Sequence, residues 1–484
     1  MSRSLYLGFD VGTQSVKALV VDAERQQVVA RRSQALALID GLGDGHMEQH
    51  PRDWIDAVVA TGRAVLGDVD ASRIAAIGVS GQQHGCVVLD ADDRVVRPAK
   101  LWCDTATADE ARQLGEALGR AVPTGFTASK LSWLKRHEPD NWRRVRRVLL
   151  PHDYVNFWLT GRFVMECGDA SGSGWFDPAA RAFDARAMSA IDPSLAQMMP
   201  ELVDAHALVG EVQASAQDAL GLPAGVQVAA GGGDNMMSAI GSGATRDGVV
   251  VVSLGTSGTI FTRTGHAVVD PDGLIAPFCS SDGGWMPLLC VMNLTGVSEE
   301  VKALTGMEHD RLTAAAAQVA PGCDGITWLP FLMGERVPDL PNATGTLLGM
   351  RPGTLRPGHL YRAALEGTSL NLGLGFERLQ ALGVQVDEVR LTGGAANNGL
   401  WRQILANVFG ATVRVLVETE SAALGGALQA LWAVRRRDGD DVSSDDVARP
   451  FVRLGEATEP DGDAATYRAL LADYRAAVAR IYGA

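Results

Sequence analysis

The chain has 484 residues, 46% of them hydrophobic and 21% charged, with a formal net charge of −14 at pH 7. That length exceeds one hydrophobic core and calls for about two or three domains of an ordinary soluble globular protein. The acidic balance excludes a dedicated nucleic-acid binder, which needs a basic patch, but local glycine loops and a few cations still leave room for an anionic ligand.

The first element is a hairpin. Leu5 to Phe9 and Val16 to Val21 are two apolar, partly β-branched arms flanking Asp10, Gly12, Thr13, Gln14 and Ser15, with Lys17 in the second arm. Alternation predicts two strands, and Gly-Thr-Gln-Ser is turn chemistry. The tip exposes backbone N–H groups and hydroxyls suited to phosphate oxygens. Asp10 is placed to hold a hydrated Mg²⁺. An ordinary structural hairpin with a solvated Asp and Lys would look the same. A second copy separates the two readings. Gly248 to Thr262 repeats the layout, with a β-branched arm, then Gly255-Thr256-Ser257-Gly258, then a second arm. Two phosphate turns from a duplicated fold, facing one nucleotide across a cleft, are far more specific than one.

Between the hairpins, Val28 to Leu38 continues the β pattern and Pro51 opens a helix running through Trp54 to Leu66. Ile74 to Ser80 is an apolar run of strand length that ends in Gly81-Gln82-Gln83-His84-Gly85, so Gln83 and His84 sit where a buried strand meets a polar ligand. Cys86 to Asp90 reads as the next strand. Leu101-Trp102-Cys103-Asp104 is another apolar-to-acid step, before a helix near Thr107. Residues 125–137 begin an amphipathic helix, and the basic run at Arg143, Arg144, Arg146 and Arg147 reads as a solvated helix face. Gly225 to Ala230 is a strand running into Gly231-Gly232-Gly233-Asp234-Asn235. An N-cap needs only the Asp. Three preceding glycines permit close backbone approach and leave the carboxylate projecting into a cleft, which favours a catalytic role for Asp234.

Beyond the second hairpin, residues 334–338 (Gly-Glu-Arg-Val-Pro) form a charged loop and His359 to Leu382 a long amphipathic helix. Val386 to Thr392 leads into Gly393-Gly394-Ala395-Ala396-Asn397-Asn398 and a helix at Trp401 to Val408, an arrangement that lays a nucleotide against backbone and a helix N-terminus. Val413 to Val417 is a strand. Ala422 to Val434 is the longest apolar run, and it contains Gln429 and two glycines. It is too short to span a bilayer and fits a buried helix. Residues 435–464 read as a polar surface excursion before a last helix at Ala465 to Tyr482. The six cysteines (Cys86, Cys103, Cys167, Cys279, Cys290, Cys323) form no CxxC pair and read as reduced thiols of a cytoplasmic protein. No signal peptide is expected ahead of the first strand.

These residues resemble the FGGY family of carbohydrate kinases over almost the whole chain. Residues 125–137 (Gly-Phe-Thr-Ala-Ser-Lys-Leu-Ser-Trp-Leu-Lys-Arg-His) fit its first signature. Gly345 to Met350 with His359 to Glu366 fits its second. The resemblance implies an α/β, two-domain actin/Hsp70-like fold of duplicated ribonuclease H-like cores with a catalytic cleft between them. It implies an N-terminal sugar-binding domain over residues 1–244 and a C-terminal nucleotide-binding domain over 245–484. The implied reaction is phosphorylation of a sugar, D-xylulose, by ATP with Mg²⁺. Asp234 resembles the catalytic base and Asp10 the Mg²⁺-side aspartate. Gln83, His84, Trp102, Asp104 and Asn235, with Asp234, stand on the sugar side. Gly12, Thr13, Gln14, Lys17, Gly255, Thr256, Ser257, Gly394, Ala395 and Asn398 stand on the nucleotide side. Residues 334–336 with Pro338 resemble the Gly-Glu-Arg-Thr-Pro loop of the pentulose branch.

The departures all lie on the sugar side. Gln83 replaces a Met, Cys103 an Asn, and Thr105-Ala106 a Gly-Arg pair, while the link from Ala108 to Gly125 is short. The expected partners are a small sugar and ATP, with neither nucleic acid nor membrane, and a homodimer is left open. Two rivals remain: a kinase for another sugar or polyol (ribulose, fuculose, gluconate or glycerol), and an actin-like ATP switch without phosphoryl transfer to a small molecule. A Rossmann dehydrogenase is excluded by the lack of GxGxxG after the first strand.

Overall fold

The computed structural model describes residues 3–483. Strand β1 (Leu5–Val11) pairs antiparallel with β2 (Ser15–Asp22), and β2 with β3 (Gln27–Ala35). On its other side β1 runs parallel to β4 (Ile74–Gly81), beyond which lie β5 (Leu208–Glu211) and β6 (Gln227–Ala229), with β6 parallel to β4 and β5 antiparallel to β6. The sheet order is β5-β6-β4-β1-β2-β3. β4 is buried along its whole length, and its continuous apolar run follows from having both faces covered.

The second half repeats this plan. β7 (Gly248–Leu254) pairs antiparallel with β8 (Gly258–Thr262), and β8 with β10 (Trp285–Val291), which carries β9 (Ala276–Cys279) at the edge. On its other side β7 runs parallel to β11 (Val386–Thr392), then β12 (Val413–Leu416) and β13 (Leu454–Thr458). Both sheets therefore share one pattern from the hairpin outward: two antiparallel pairings on one side of the central strand, to which the second sheet adds a third through β9, and parallel, parallel, antiparallel on the other. The expected surface excursion at 435–464 is only partly that. It contains a short helix, Ser444–Ala448, and the edge strand β13, whose register with β12 closes the second sheet. Leu454-Gly-Glu-Ala-Thr458 is half polar because an edge strand has one face in solvent.

Two helices lie between the sheets. α1 (Asp234–Gly241) follows the first sheet in sequence, yet its Met236 and Ala239 pack on Val249, Val251 and Phe261 of the second. α2 (Ser421–Arg437) comes from the second half, yet its Ala423, Ala427 and Leu428 pack with Tyr6, Leu19, Val21 and Ala76 of the first. Each half lends a helix to the other. The approach is backbone to backbone. A Cβ on Gly78 would collide with the Gly426 carbonyl, and one on Gly425 with the Met237 carbonyl. Small residues at these crossings bring the strand ends of both sheets to one place. Among the described residues no helix is long and apolar enough to cross a membrane.

Gly425→Ala forces two backbones apart and is expected to cost roughly 1–3 kcal/mol, as overpacking does. Gly462→Ala, which meets open space, is expected to change stability by less than about 0.5 kcal/mol. Thermal unfolding of the two variants measures the difference, and equal midpoints would contradict the close-approach account.

Candidate active site

The first phosphate turn is shaped by a relay of side chains. Gly12 N–H donates to Ser15 O at 3.1 Å, closing the tip. Trp102 Nε1 donates to Thr13 Oγ1 at 3.0 Å, and Thr13 Oγ1 donates to Gln82 Oε1 at 2.8 Å. Gln82 Nε2 donates to Gln49 Oε1 at 3.0 Å, and Gln49 Nε2 returns to Thr13 O at 2.8 Å. Trp102 thus reaches the phosphate turn itself. Gln49 and Gln82, which the sequence reading passed over, pin the turn from beneath. Gln14 is exposed at the tip and its carbonyl accepts from Leu36 N–H. The second turn is built alike, with Gly255 N–H donating to Ser257 O at 3.2 Å, Thr256 exposed, and Thr256 O accepting from Leu294 N–H.

Two cavities meet at the cleft, the smaller between the halves and the larger within the second half. One, of about 370 Å³, is lined by Asp10, Gly12, Lys17, Asp234, Asn235, Ser253, Thr392, Gly393 and Glu420, among others. The other, of about 540 Å³, is lined by Gly255, Thr295, His309, Thr313, Tyr361, Ala395 and Asn398, among others. Gly394 and Asn397 line both, so the two are continuous. The smaller has the size and polarity for phosphates, the larger for a nucleoside. Asn398 caps the helix Gly399–Phe409, accepting from Trp401 N–H at 3.1 Å, while its Nδ2 donates to Thr313 Oγ1 at 2.9 Å. Lys17 Nζ is held by Glu420 at 2.6 Å. Thr313, His309 and Glu420 carry no motif in sequence, and only the fold brings them here beside Tyr361 of the second signature stretch.

Asp234 opens α1 behind its three glycines. Its Oδ1 accepts from Asn235 N–H at 2.7 Å and from Asn235 Nδ2 at 3.0 Å. Burial, with the nearby Asp10 and Asp169 carboxylates, pushes its pKa up to about 7, against the pull of Asn235. Asp10 accepts from Ser80 Oγ at 3.1 Å. Burial pushes its pKa up to about 6, against Lys17 and the Ser80 bond. A pocket whose floor holds two perturbed carboxylates is a natural place for proton transfer and cation binding.

On the sugar side, Asn235 Nδ2 also donates to Gln83 Oε1 at 2.9 Å, which fixes the amide and leaves Gln83 Nε2 buried without a partner. His84 has φ +66° and packs against Phe126 at 4.9 Å and Phe278 at 6.1 Å, so aromatic rings from both halves enclose it. Burial, then the Lys130 and Arg336 charges, push its pKa down to about 3, so it is neutral. Lys130 holds the neighbouring loop, its Nζ donating to Gly125 O at 2.6 Å and Phe126 O at 3.0 Å. In the 334–338 loop Glu335 is an anchor, accepting from Met292 N–H and Asn293 Nδ2, while Arg336 is exposed and acts on His84.

Asp104 is placed differently from its sugar-side expectation. It is fully buried, and its Oδ2 accepts from Lys100 Nζ and Met47 N–H, both at 2.9 Å. Among the described residues, His46, Glu48 and Asp104 form the one trio with metal-ligand spacing. Lys100 Nζ already lies 3.0 Å from His46 Nδ1 and 3.1 Å from Glu48, so an ammonium fills that place. Cys103 packs half-buried against the first core. All six cysteines are free thiols.

Comparisons with known proteins agree with this geometry. Residues 5–241 match the N-terminal domain of the FGGY family of carbohydrate kinases and residues 250–434 its C-terminal domain. The chain is 40% identical over 447 residues to a xylulose kinase of Haemophilus influenzae, covering 89% of this chain and 90% of that one. It is 39% identical over 461 residues to a xylulose kinase of Streptomyces coelicolor, covering 91% and 90%. The crystal structure of a "xyloylose kinase" from Brucella ovis superposes with a TM-score of 0.92 at 30% identity, over 99% of both chains. With its two actin/Hsp70-like halves closing on one cleft, and both domain models matched across it, the chain belongs to the FGGY family of carbohydrate kinases.

Proposed function

We propose that this sugar kinase phosphorylates D-xylulose to D-xylulose 5-phosphate with ATP, in the cytoplasm, with Asp234 as the general base. The observation that carries the reading is the position of Asp234. Its carboxylate faces the phosphate-sized cavity beside Asp10 and is tied through Asn235 to Gln83 on the sugar side. The xylulose kinases among its relatives support the choice of sugar. The division of labour follows the two halves, residues 1–244 taking the sugar and 245–484 the nucleoside. Gln83 Nε2 offers the sugar a donor, and neutral His84 orients it without exchanging a proton near pH 7.

Asp10 fits Mg²⁺. It is a hard oxygen donor in a phosphate-sized cavity, its burial leaves it short of positive charge, and the nearest ammonium, Lys17, is already engaged by Glu420. When bound, that ion would screen the phosphate charge. The chain's own part is positional. Backbone N–H groups at Thr13 and Thr256 receive phosphate oxygens, and Asp234 takes the proton of the sugar's terminal hydroxyl as that oxygen attacks the γ-phosphorus. Closure of the halves excludes water, so transfer to the sugar outruns hydrolysis.

ADP release is expected on D-xylulose above other ketoses and polyols, and Asp234→Ala is expected to lower kcat by about 10²–10⁴-fold while ATP still binds. Near-normal turnover in that variant removes the base assignment, and a preferred sugar other than D-xylulose removes the substrate. The raised pKa of Asp234 also fixes the sign of the pH dependence. The carboxylate is the active form, so kcat/KM is expected to fall below about pH 7, approaching tenfold per unit. A profile flat down to pH 5 contradicts it.

A further inference from the structure

Gln429 is the one polar side chain inside the apolar run of α2, and it is completely buried. A glutamine there needs partners, and it has found an unusual set. Its Oε1 accepts from Gly231 N–H at 2.8 Å, and its Nε2 donates to Gly231 O at 3.0 Å. One side-chain amide therefore pairs with both polar groups of a single residue, as a neighbouring strand would.

The reason lies in the first sheet. β6 ends at Ala229, and pairing with β4 resumes only at Gly232. Ala230 and Gly231 bulge out of the ladder between, Gly231 with φ +74° and pressed against the Val79 carbonyl and His152. Asn156 Nδ2 covers Ala230 O at 2.8 Å. Gly231 has no strand to pair with, and buried backbone groups must be satisfied. Gln429 supplies that pairing from the other half of the chain.

Gly231 is three residues before Asp234, and Gly232 and Gly233 between them pair with Ser80 and Gly81 of β4. The peptide held at Gly231 therefore sets how the chain leaves the bulge and rejoins β4 in the two residues before the base. Gln429 sits about 12 Å along α2 from Ser421, by the helical rise, and Ser421 lines the same cavity as Asp234. The Gln429 amide also reaches Ser281 O at 3.4 Å, and Ser281 Oγ donates to Glu166 Oε2 at 2.8 Å, joining the β9–β10 connection to the same node.

We infer that Gln429 is a positioning residue for Asp234: by pairing with both polar groups of Gly231 it fixes the glycine loop and ties the base to the helix whose first turn faces the phosphates. This rests on Asp234 being the base. The role is distinct from packing, because it acts on the placement of one carboxylate and leaves the sugar and nucleotide contacts alone.

The test is steady-state kinetics on the full-length Gln429→Leu protein with D-xylulose and Mg²⁺-ATP, alongside thermal unfolding. kcat is expected to fall by roughly 10–10²-fold, as misplacement of a reacting group by about 1 Å does, with both KM values within about threefold of the parent. A kcat within about twofold of the parent overturns the inference, and so does a loss shared between kcat and both KM values. Should Gln429→Leu fail to fold, Gln429→Asn, which keeps the amide but is one methylene short, is judged by the same split. Asp234→Asn is run in parallel. Turnover surviving there removes the base reading itself, whereas an inactive Asp234→Asn beside a fully active Gln429→Leu removes only the role of Gln429.

Discussion

The Gly426 carbonyl occupies the space where a side chain on Gly78 would have to be, and the Met237 carbonyl does the same to Gly425. Everything at the cleft depends on these contacts. Helices normally stand about 8–10 Å from what they pack on, held off by side chains. Here glycines remove that spacing, and α1 and α2 press against each other and against the two sheets. The ends of β1, β7 and β11 and the first turns of both helices then converge on one cavity. A Gly-Thr turn from each half, Asp234 and Asp10 come together without any long loop having to carry them.

Convergence has an electrostatic consequence. Burial disfavours the ionised form of both Asp10 and Asp234; the Asp10 carboxylate adds to this at Asp234, and Glu420 adds to it at Asp10. A site so arranged is short of positive charge, because Lys17 is engaged by Glu420 and Lys130 by backbone carbonyls. In the proposed reaction a cation would supply the positive charge that such a site lacks. His84, wedged between Phe126 and Phe278, stays neutral.

The parts of this site written locally were legible in the sequence. Both hairpins show as two β-branched arms around a Gly-Thr turn, and the structure pairs them in matching sheets. The glycines before Asp234 read as more than a cap needs, and they do lead the carboxylate into a cavity. What was not legible depends on partners far away in the chain. Gln49 and Gln82 look like any surface glutamines until Trp102 and Thr13 complete their relay. Asp104 follows an apolar step much as Asp10 does, but Lys100, four residues earlier, engages it inside the core. Leu454 to Thr458 lies in a polar stretch and becomes a strand only because β12 offers an open edge. In the lining of the larger cavity Gly255, Ala395 and Asn398 stood in legible turns, whereas Thr295, His309 and Thr313 have no motif because they come from separate helices and loops.

The central claim is transfer of a phosphoryl group from ATP to a sugar hydroxyl held beside Asp234. Phosphorus NMR and mass spectrometry of the products formed from D-xylulose and Mg²⁺-ATP test it most directly. One phosphate monoester on the terminal hydroxyl of the sugar is expected, formed in equal amount to ADP. ADP accompanied by inorganic phosphate, with no sugar ester, would contradict it and leave a nucleotide-binding switch in its place.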